Sequence, residues 1–410
     1  MRTIILTLVL SAPLLSAEGD WPMWRGPMGD GTTTEKGFPT RWSPKENIVW
    51  KTEVPGKGHS SPIIWGDRVF LTTCLENEGE KNEPKERLLL CYDRKTGKEL
   101  WRVTVLKAKL ESIHKLNSFA SSTPATDGQR VYVTFLDDPQ VVVAAYDFEG
   151  KEVWRKTPGK FESKHGFCSP PILYKDLVIV NCDQDAFGKK EPAYIVAFEG
   201  KTGEEKWRID RKNRIRSYCP PLCREINGQS HMVLTGCWTT ASYDPNTGKL
   251  HWQNRGPTEQ FVASLIYQKG LFILTAGFPT YHVVAVRPED GKIVWEDTKG
   301  AGYVPSPVGY ADEVYLVHDN GRASCRDALT GKLHWFEPLG KHHSASPVAV
   351  EGKIYFCDDD GVTWVVKADK TFEILEKNPL GENIFASPAL SRGQIFIRGS
   401  KHLFCIGETK

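Results

Sequence analysis

Cys91-Tyr-Asp-Arg-Lys-Thr-Gly-Lys-Glu-Leu-Trp101 reads as the end of one strand, a tight turn and the start of a second strand closed by an indole. Thr96-Gly97 supplies the positive φ that a short hairpin needs, and the flanking residues alternate as strands do. Seven tryptophans mark copies of this pattern: Trp50, Trp101, Trp154, Trp207, Trp252, Trp295 and Trp335. An acidic residue stands eight positions earlier in the clearest copies, at Asp93, Glu199, Asp244 and Asp327. Each copy predicts the last two strands of a repeated unit.

A second marker precedes the copies, a small residue followed by Ser-Pro or Thr-Pro, at Ser61-Pro62, Thr123-Pro124, Ser169-Pro170, Ser306-Pro307, Ser346-Pro347 and Ser387-Pro388. Pro220-Pro221 and Ser264-Leu265 hold the same slot with altered residues. After each comes an apolar run, a Gly-centred turn and another apolar run, which makes eight units of four short strands. Repeats of ~40–50 residues with four strands each predict an all-β fold, an eight-bladed β-propeller with antiparallel blades. The chain after Pro388 holds strands at Gln394 to Arg398 and His402 to Ile406 and stops one strand short. Asn47 to Val54, with Trp50, is an orphan outer strand, and it is expected to complete the last blade and remove its open edge. An open solenoid of stacked sheets is the competing architecture. The expected organisation is a signal peptide at 1–17, an N-terminal arm at 18–46 pinned to the propeller's side, and the propeller at 47–410.

Export is read from Arg2, the apolar stretch Ile4 to Leu10 and small residues at Ser16 and Ala17, a pattern too short to span a bilayer. A periplasmic or secreted monomer follows, with no integral membrane segment once the signal is removed. A formal charge of +2 gives no reason to expect nucleic acid as a partner. Of the ten cysteines, Cys91, Cys325 and Cys405 occupy a slot filled elsewhere by Ala145, Ala197, Ser242 and Ala285, and Cys74, Cys182, Cys237 and Cys357 share another. These are small apolar fillers. Cys168 and Cys219 precede the first strands of adjacent blades, where a disulfide and two free thiols are both open readings.

In this fold the loops entering each first strand and those joining second to third strands share one face, here the top face, and the Thr-Gly hairpins emerge on the other. His59, His114, His165, His282, His318, His342, His343 and His402 sort to the top, as do Asp183, Asp185, Asp319 and Asp358 to Asp360. Such a face is the default place for a ligand. The candidate ligand-binding residues are His59, His165, Asp183, Arg214, Arg216, Tyr218, Trp238, Tyr303 and His343. Arg214 and Arg216, in a basic loop, suit an anionic group, whereas Trp238, Tyr303 and Tyr218 offer aromatic surface or plug the bore. Asp319-Asn-Gly321 and Asp359-Asp-Gly361 read as tight turns, and no spacing matches a calcium loop or a His-x-x-x-His metal site. No metal is therefore assigned. Leu75 to Arg87 reads as a mobile charged loop, and Leu106, Leu110, Ile113 and Leu116 have the spacing of one amphipathic helix over the channel mouth.

The repeat Ala/Cys-x-Asp-x-x-Thr-Gly-Lys-x-x-Trp resembles the tryptophan-docking repeat of the pyrroloquinoline quinone (PQQ) propellers, over all eight blades. Asp20-Trp-Pro-Met-Trp-Arg-Gly-Pro27, His59-Ser-Ser-Pro62 and Ala120-Ser-Ser-Thr-Pro124 look like an exported bacterial branch of PQQ-binding-like proteins, related to the BamB-like propeller of the β-barrel assembly machinery. The resemblance is specific for the fold and leaves three readings of function open. Quinone dehydrogenases of the superfamily hold PQQ beside a ring formed by two adjacent cysteines, with a catalytic Asp and calcium; this chain has no Cys-Cys pair and no Gly-x-Ser-x-Gly nucleophile motif. The first expectation is therefore a non-catalytic module, without cofactor, that binds a protein or a glycan. A PQQ- and calcium-dependent oxidoreductase and a polysaccharide-binding or -degrading protein are the alternatives.

Overall fold

The structure, a computed structural model, describes residues 19–80, 82–185, 192–212 and 215–408. Thirty-two strands form eight four-stranded antiparallel sheets, and there is no helix among the described residues. Seven sheets are consecutive in sequence: blade one at 63–108, then 125–156, 172–211, 222–255, 266–297, 308–338 and 348–379. The first strand of each blade lies innermost. That of blade one, Ile63–Trp65, touches Ala125–Thr126 on one side and Ala389–Ser391 of blade eight on the other. The ring is thus a closed propeller rather than a solenoid.

Blade eight closes as the sequence predicts. Ile48–Glu53 pairs antiparallel with His402–Ile406 and sets Trp50 opposite Cys405 and Glu53 opposite His402. Middle strands such as Leu177–Cys182 are buried along their whole length, since a neighbouring blade covers each face, and this explains their continuous apolar runs. Outer strands such as Glu152–Lys156 bury only the tryptophan.

The tryptophans are the bolts of the ring. Trp50, Trp154 and Trp252 donate their indole N–H to the carbonyls of Arg94, Gly200 and Pro288 in the next blade, at 2.8, 2.8 and 2.6 Å. The turn that receives Trp50 contains Gly97, at φ +68°, where an added Cβ would lie 2.5 Å from the indole. Glycine is needed there for the backbone and for the close approach. Directly opposite Trp101, Trp335 and Trp50 on the adjacent strand sit Cys91, Cys325 and Cys405, the small filler slot of the repeat. All ten cysteines are free, so Cys168 and Cys219 form no disulfide.

Blade seven lacks the bolt: Glu376 stands opposite Val365 where other blades place Trp opposite a small residue. Trp42 of the N-terminal arm occupies the gap. Its ring stacks on Tyr355 at 6.2 Å and shares one buried cluster with Val365 of blade seven and Ile395 of blade eight, while its backbone N–H donates to Asn378 Oδ1 at 2.8 Å.

Only the end of the arm, around Thr40 and Trp42, lies along the propeller's side, where it is held by Asn378 of an outer strand. Trp21 pairs with Ile64 on the inner strand of blade one, and Pro22 accepts from Thr126 N at 2.8 Å. Arg25 donates to the carbonyls of Pro347, at 2.9 Å, and Pro307, and Gly31 accepts from Ala349 N at 2.9 Å. The first part of the arm, residues 21–31, therefore crosses the bottom of the channel, and Trp24 lines the bore. Backbone groups left unpaired by the inner strands attract it.

The segment Leu106 to Leu116 is not a helix. Leu106 belongs to the strand Glu99–Ala108, and residues 109–114 run on without helical turns. Its apolar residues meet different partners: Leu106 and Leu110 pack on the core between blades one and two, and Ile113 sits against Gly166. The fully buried Arg87 pairs with Glu111 and holds the segment down, so tertiary contacts override a helical spacing only four positions long. The charged loop before Arg87 is also tied, by Lys85 Nζ donating to Glu80 O at 2.6 Å.

Candidate functional site

The Ser-Pro marker builds the wall of the channel. Ser264 N donates to Ser306 Oγ at 3.0 Å, Ser306 N to Ser346 Oγ at 2.9 Å, and Ser346 N to Ser387 Oγ at 2.9 Å. Ser387 N then donates to Ser61 Oγ at 3.0 Å, and Ser61 N to Thr123 Oγ1 at 2.9 Å. The residue before proline is held extended, which points its N–H sideways at the next blade. The series stops at Thr123: the next hydroxyl, Ser169 Oγ, is buried without a partner, and Pro220 after it has neither hydroxyl nor N–H.

Above this belt, His59 and Tyr218 meet in the channel mouth. They line a cavity of about 130 Å3 floored by Trp24, with Ser61, Thr123, Cys168, Val262, Val304 and Ser344 among its walls. His59 stacks on Phe385 at 4.6 Å. Burial, then the charge of Arg398, lowers its pKa to about 4, so the imidazole is neutral at neutral pH. Tyr218 is 9% exposed and shares a 2.6 Å hydrogen bond with Ser163 Oγ.

His165 and Arg216 form a second group beside Tyr218. Arg216 Nη2 donates to His165 Nε2 at 2.8 Å, and since a guanidinium only donates, that nitrogen is unprotonated. Burial and Arg216 together lower the His165 pKa to about 4. Asp185 pairs with Arg216 at 3.1 Å, and His114 meets His165 edge to face at 5.4 Å. Arg214 lies outside the described residues.

The remaining candidates are dispersed. Asp183 is fully buried against Arg211 at 2.6 Å and is a structural ion pair, not a surface ligand. His343 is likewise buried, with its ring nitrogens 2.9 and 2.6 Å from the carbonyls of Cys357 and Leu339. Tyr303 donates to Gln260 Oε1 at 3.2 Å, and burial raises its pKa to about 12. Trp238 stands apart on the turn Cys237-Trp238, where both residues have positive φ, 33° and 60°. Its ring is 37% exposed with Arg255 over it at 5.6 Å. Holding two non-glycine residues in that conformation costs backbone strain, a cost that clusters at functional turns.

The acidic turns are caps. Asp319 Oδ1 accepts from Val304 N at 3.1 Å, and Asp359 Oδ1 from Ser344 N at 2.7 Å, each securing the loop that enters a first strand. Among the described residues no group of three or more His, Cys, Asp or Glu could hold a metal ion, and no helix is long and apolar enough to cross a membrane. Two larger clefts, of about 490 and 210 Å3, flank the arm on the bottom face.

The channel mouth does not fit PQQ with calcium. Its lining contains no Asp, Glu, Lys or Arg, its histidine is neutral, and its volume of about 130 Å3 lies below the ~300 Å3 at which ligand pockets begin. A quinone bearing several carboxylates would need cationic partners and its metal would need oxygen ligands.

Comparison with known proteins agrees on architecture. A family profile described as "Outer membrane protein assembly factor BamB" matches residues 85–266 and 279–372. Among curated relatives, quinohemoprotein alcohol dehydrogenase ADH IIB of Pseudomonas putida is 24% identical over 50% of this chain and 30% of its own length. Outer membrane protein assembly factor BamB of Burkholderia pseudomallei is 28% identical over 39% of this chain and 32% of its own length. The chain thus spans about a third of the length of these relatives. Solved structures with the same fold include quinohemoprotein alcohol dehydrogenase from Comamonas testosteroni, TM-score 0.68 at 13% identity over 96% of this chain and 81% of that one. BamB from Moraxella catarrhalis aligns with TM-score 0.63 at 12% identity, over 88% and 97%. With eight blades, seven bolting tryptophans and this profile match over most of its length, the chain belongs to the PQQ-repeat β-propeller family described by the outer membrane protein assembly factor BamB.

Proposed function

We propose that the protein is an exported, non-catalytic binding propeller that holds a protein or glycan partner on its top face. The observation that carries this reading is the channel: it is stoppered from below by Trp24, its mouth encloses about 130 Å3, and its walls are neutral. A bore of that kind has no room for the cofactor on which the dehydrogenase relatives depend. The recognition surface is then the rim, where Arg216, His165 and the strained, exposed Trp238 supply charge, hydrogen bonds and an aromatic face. Aromatic and arginine side chains of this kind dominate binding energy at interfaces.

The test compares the wild-type protein with Trp238→Ala and Arg216→Glu against a glycan array and by crosslinking to envelope proteins. The expected result is one class of partner, retained by wild type and weakened about tenfold or more by either substitution at unchanged fold. Incubation with PQQ and Ca2+ is the opposing arm. Stoichiometric uptake of the quinone with dye-linked alcohol oxidation would replace this reading with the oxidoreductase one.

A further inference from the structure

Six arginines of the described chain are buried: Arg25, Arg87, Arg94, Arg211, Arg326 and Arg398. Five feel a carboxylate. Glu111, Asp183 and Asp297 pair directly with Arg87, Arg211 and Arg326, Asp30 acts on Arg25, and Asp67 and Glu35 act on Arg94. Arg398 alone feels no carboxylate, and the one ionisable group that acts on it is the Tyr92 hydroxyl. The hydrogen-bond partners of Arg398 are neutral: Nη1 donates to Ser60 Oγ at 2.9 Å and Thr72 O at 2.5 Å, and Nη2 to Thr73 Oγ1 at 3.3 Å. A buried charge held only by dipoles is costly, and removing it from water without a counter-ion depresses the guanidinium pKa to about 10.

Arg398 also lines a cleft of about 730 Å3 on the top face between blades eight and one. Val54, Pro55, Leu75 and Phe385 give that cleft an apolar side, and its other titratable lining is Lys57, Lys401 and His59 together with the carboxylates of Glu53 and Glu78. The Nε edge of Arg398 donates to no protein atom, and that edge together with Nη2 is the geometry that takes a carboxylate in two parallel bonds.

We propose that this cleft is a binding site for a small organic carboxylate with an apolar or planar body, its charge resting on Arg398 and its body against Phe385 and Leu75. Lys401 draws the anion in, and neutral His59 stands beside it as a further hydrogen-bonding group. The site stands independently of what the rim of the channel binds. Arg398 meanwhile cross-links blade eight to Ser60, Thr72 and Thr73 of blade one, so ligand occupancy and ring closure share one side chain.

The experiment uses the full chain with benzoate as probe and inorganic phosphate as control. In wild type, the His59 ring signals are followed by NMR across a pH series with and without benzoate, alongside calorimetric titration. Benzoate is expected to bind and to raise the His59 midpoint by offsetting the charge of Arg398, which after burial is the main cause that lowers it. Arg398→Gln is expected to weaken benzoate about ten- to a hundredfold at unchanged circular dichroism, and Lys401→Gln, at the rim, by less. A His59 midpoint unmoved by saturating benzoate in wild type would overturn the proposal even if Arg398→Gln does not fold. So would full-strength binding to Arg398→Gln, or phosphate binding as tightly as benzoate.

Discussion

At the scale of single residues, His59 and His165 contribute to the protein's acid sensitivity, as do His231, His318 and His343, whose pKa values burial also lowers. His59 and His165 fold into surroundings that lower their pKa from 6.5 to about 4, chiefly by burial and secondly through Arg398 and Arg216. The unfolded chain therefore binds more protons than the folded one between these two values, and stability rises with pH across that window. It is fully present above pH 6.5 and is lost as pH falls through about 4. Urea titrations at steps through this range should show the loss, and His165→Gln should reduce it while His59 and the other buried histidines still titrate. A slope that is the same in the variant would mean that only the other groups titrate. Asp183 and His343 illustrate the opposite case, polar residues whose partners are all internal and whose chemistry is spent on holding the fold.

At the scale of elements, the bolt is the unit of stability. A docked tryptophan fills the wedge between two blades and places its one polar atom on a backbone carbonyl, as Trp207 does with Pro245 O at 3.0 Å. Trp207→Ala should cost ~3–5 kcal/mol in urea unfolding. Trp42→Ala should cost about as much, although Trp42 lies outside the repeats, because it fills the wedge that Glu376 leaves open. A loss for Trp42→Ala below ~1 kcal/mol would show that the arm is an ornament rather than a member of the ring. The segment 109–116 carries the complementary lesson: its apolar spacing is real, but three separate blades claim the side chains and no helix face survives.

The whole molecule is a ring whose ends must meet. Blade eight takes three strands from the C-terminus and Ile48–Glu53 from the other end, so the last edge is covered without a covalent link. A chain begun after Glu53 should keep its middle blades but expose the outer edge of His402–Ile406, and self-association by edge pairing is the expected outcome on size exclusion. A monomer as stable as the parent would mean that the clasp is dispensable.

Short-range pattern was enough to read the blade count, the closing strand and the slot of small residues, because each repeat obeys its own turn chemistry and its own alternation of buried positions. The two terminal strands of blade eight coincide with their predicted limits for that reason. Tertiary structure decided the rest: that Trp24 stops the bore, that Trp42 replaces a missing bolt, that Asp183 and His343 turn inward, and that Arg398 feels no carboxylate. Those facts depend on residues up to hundreds of positions apart meeting in space, and local periodicity carries no information about which distant charge, if any, a buried side chain will face.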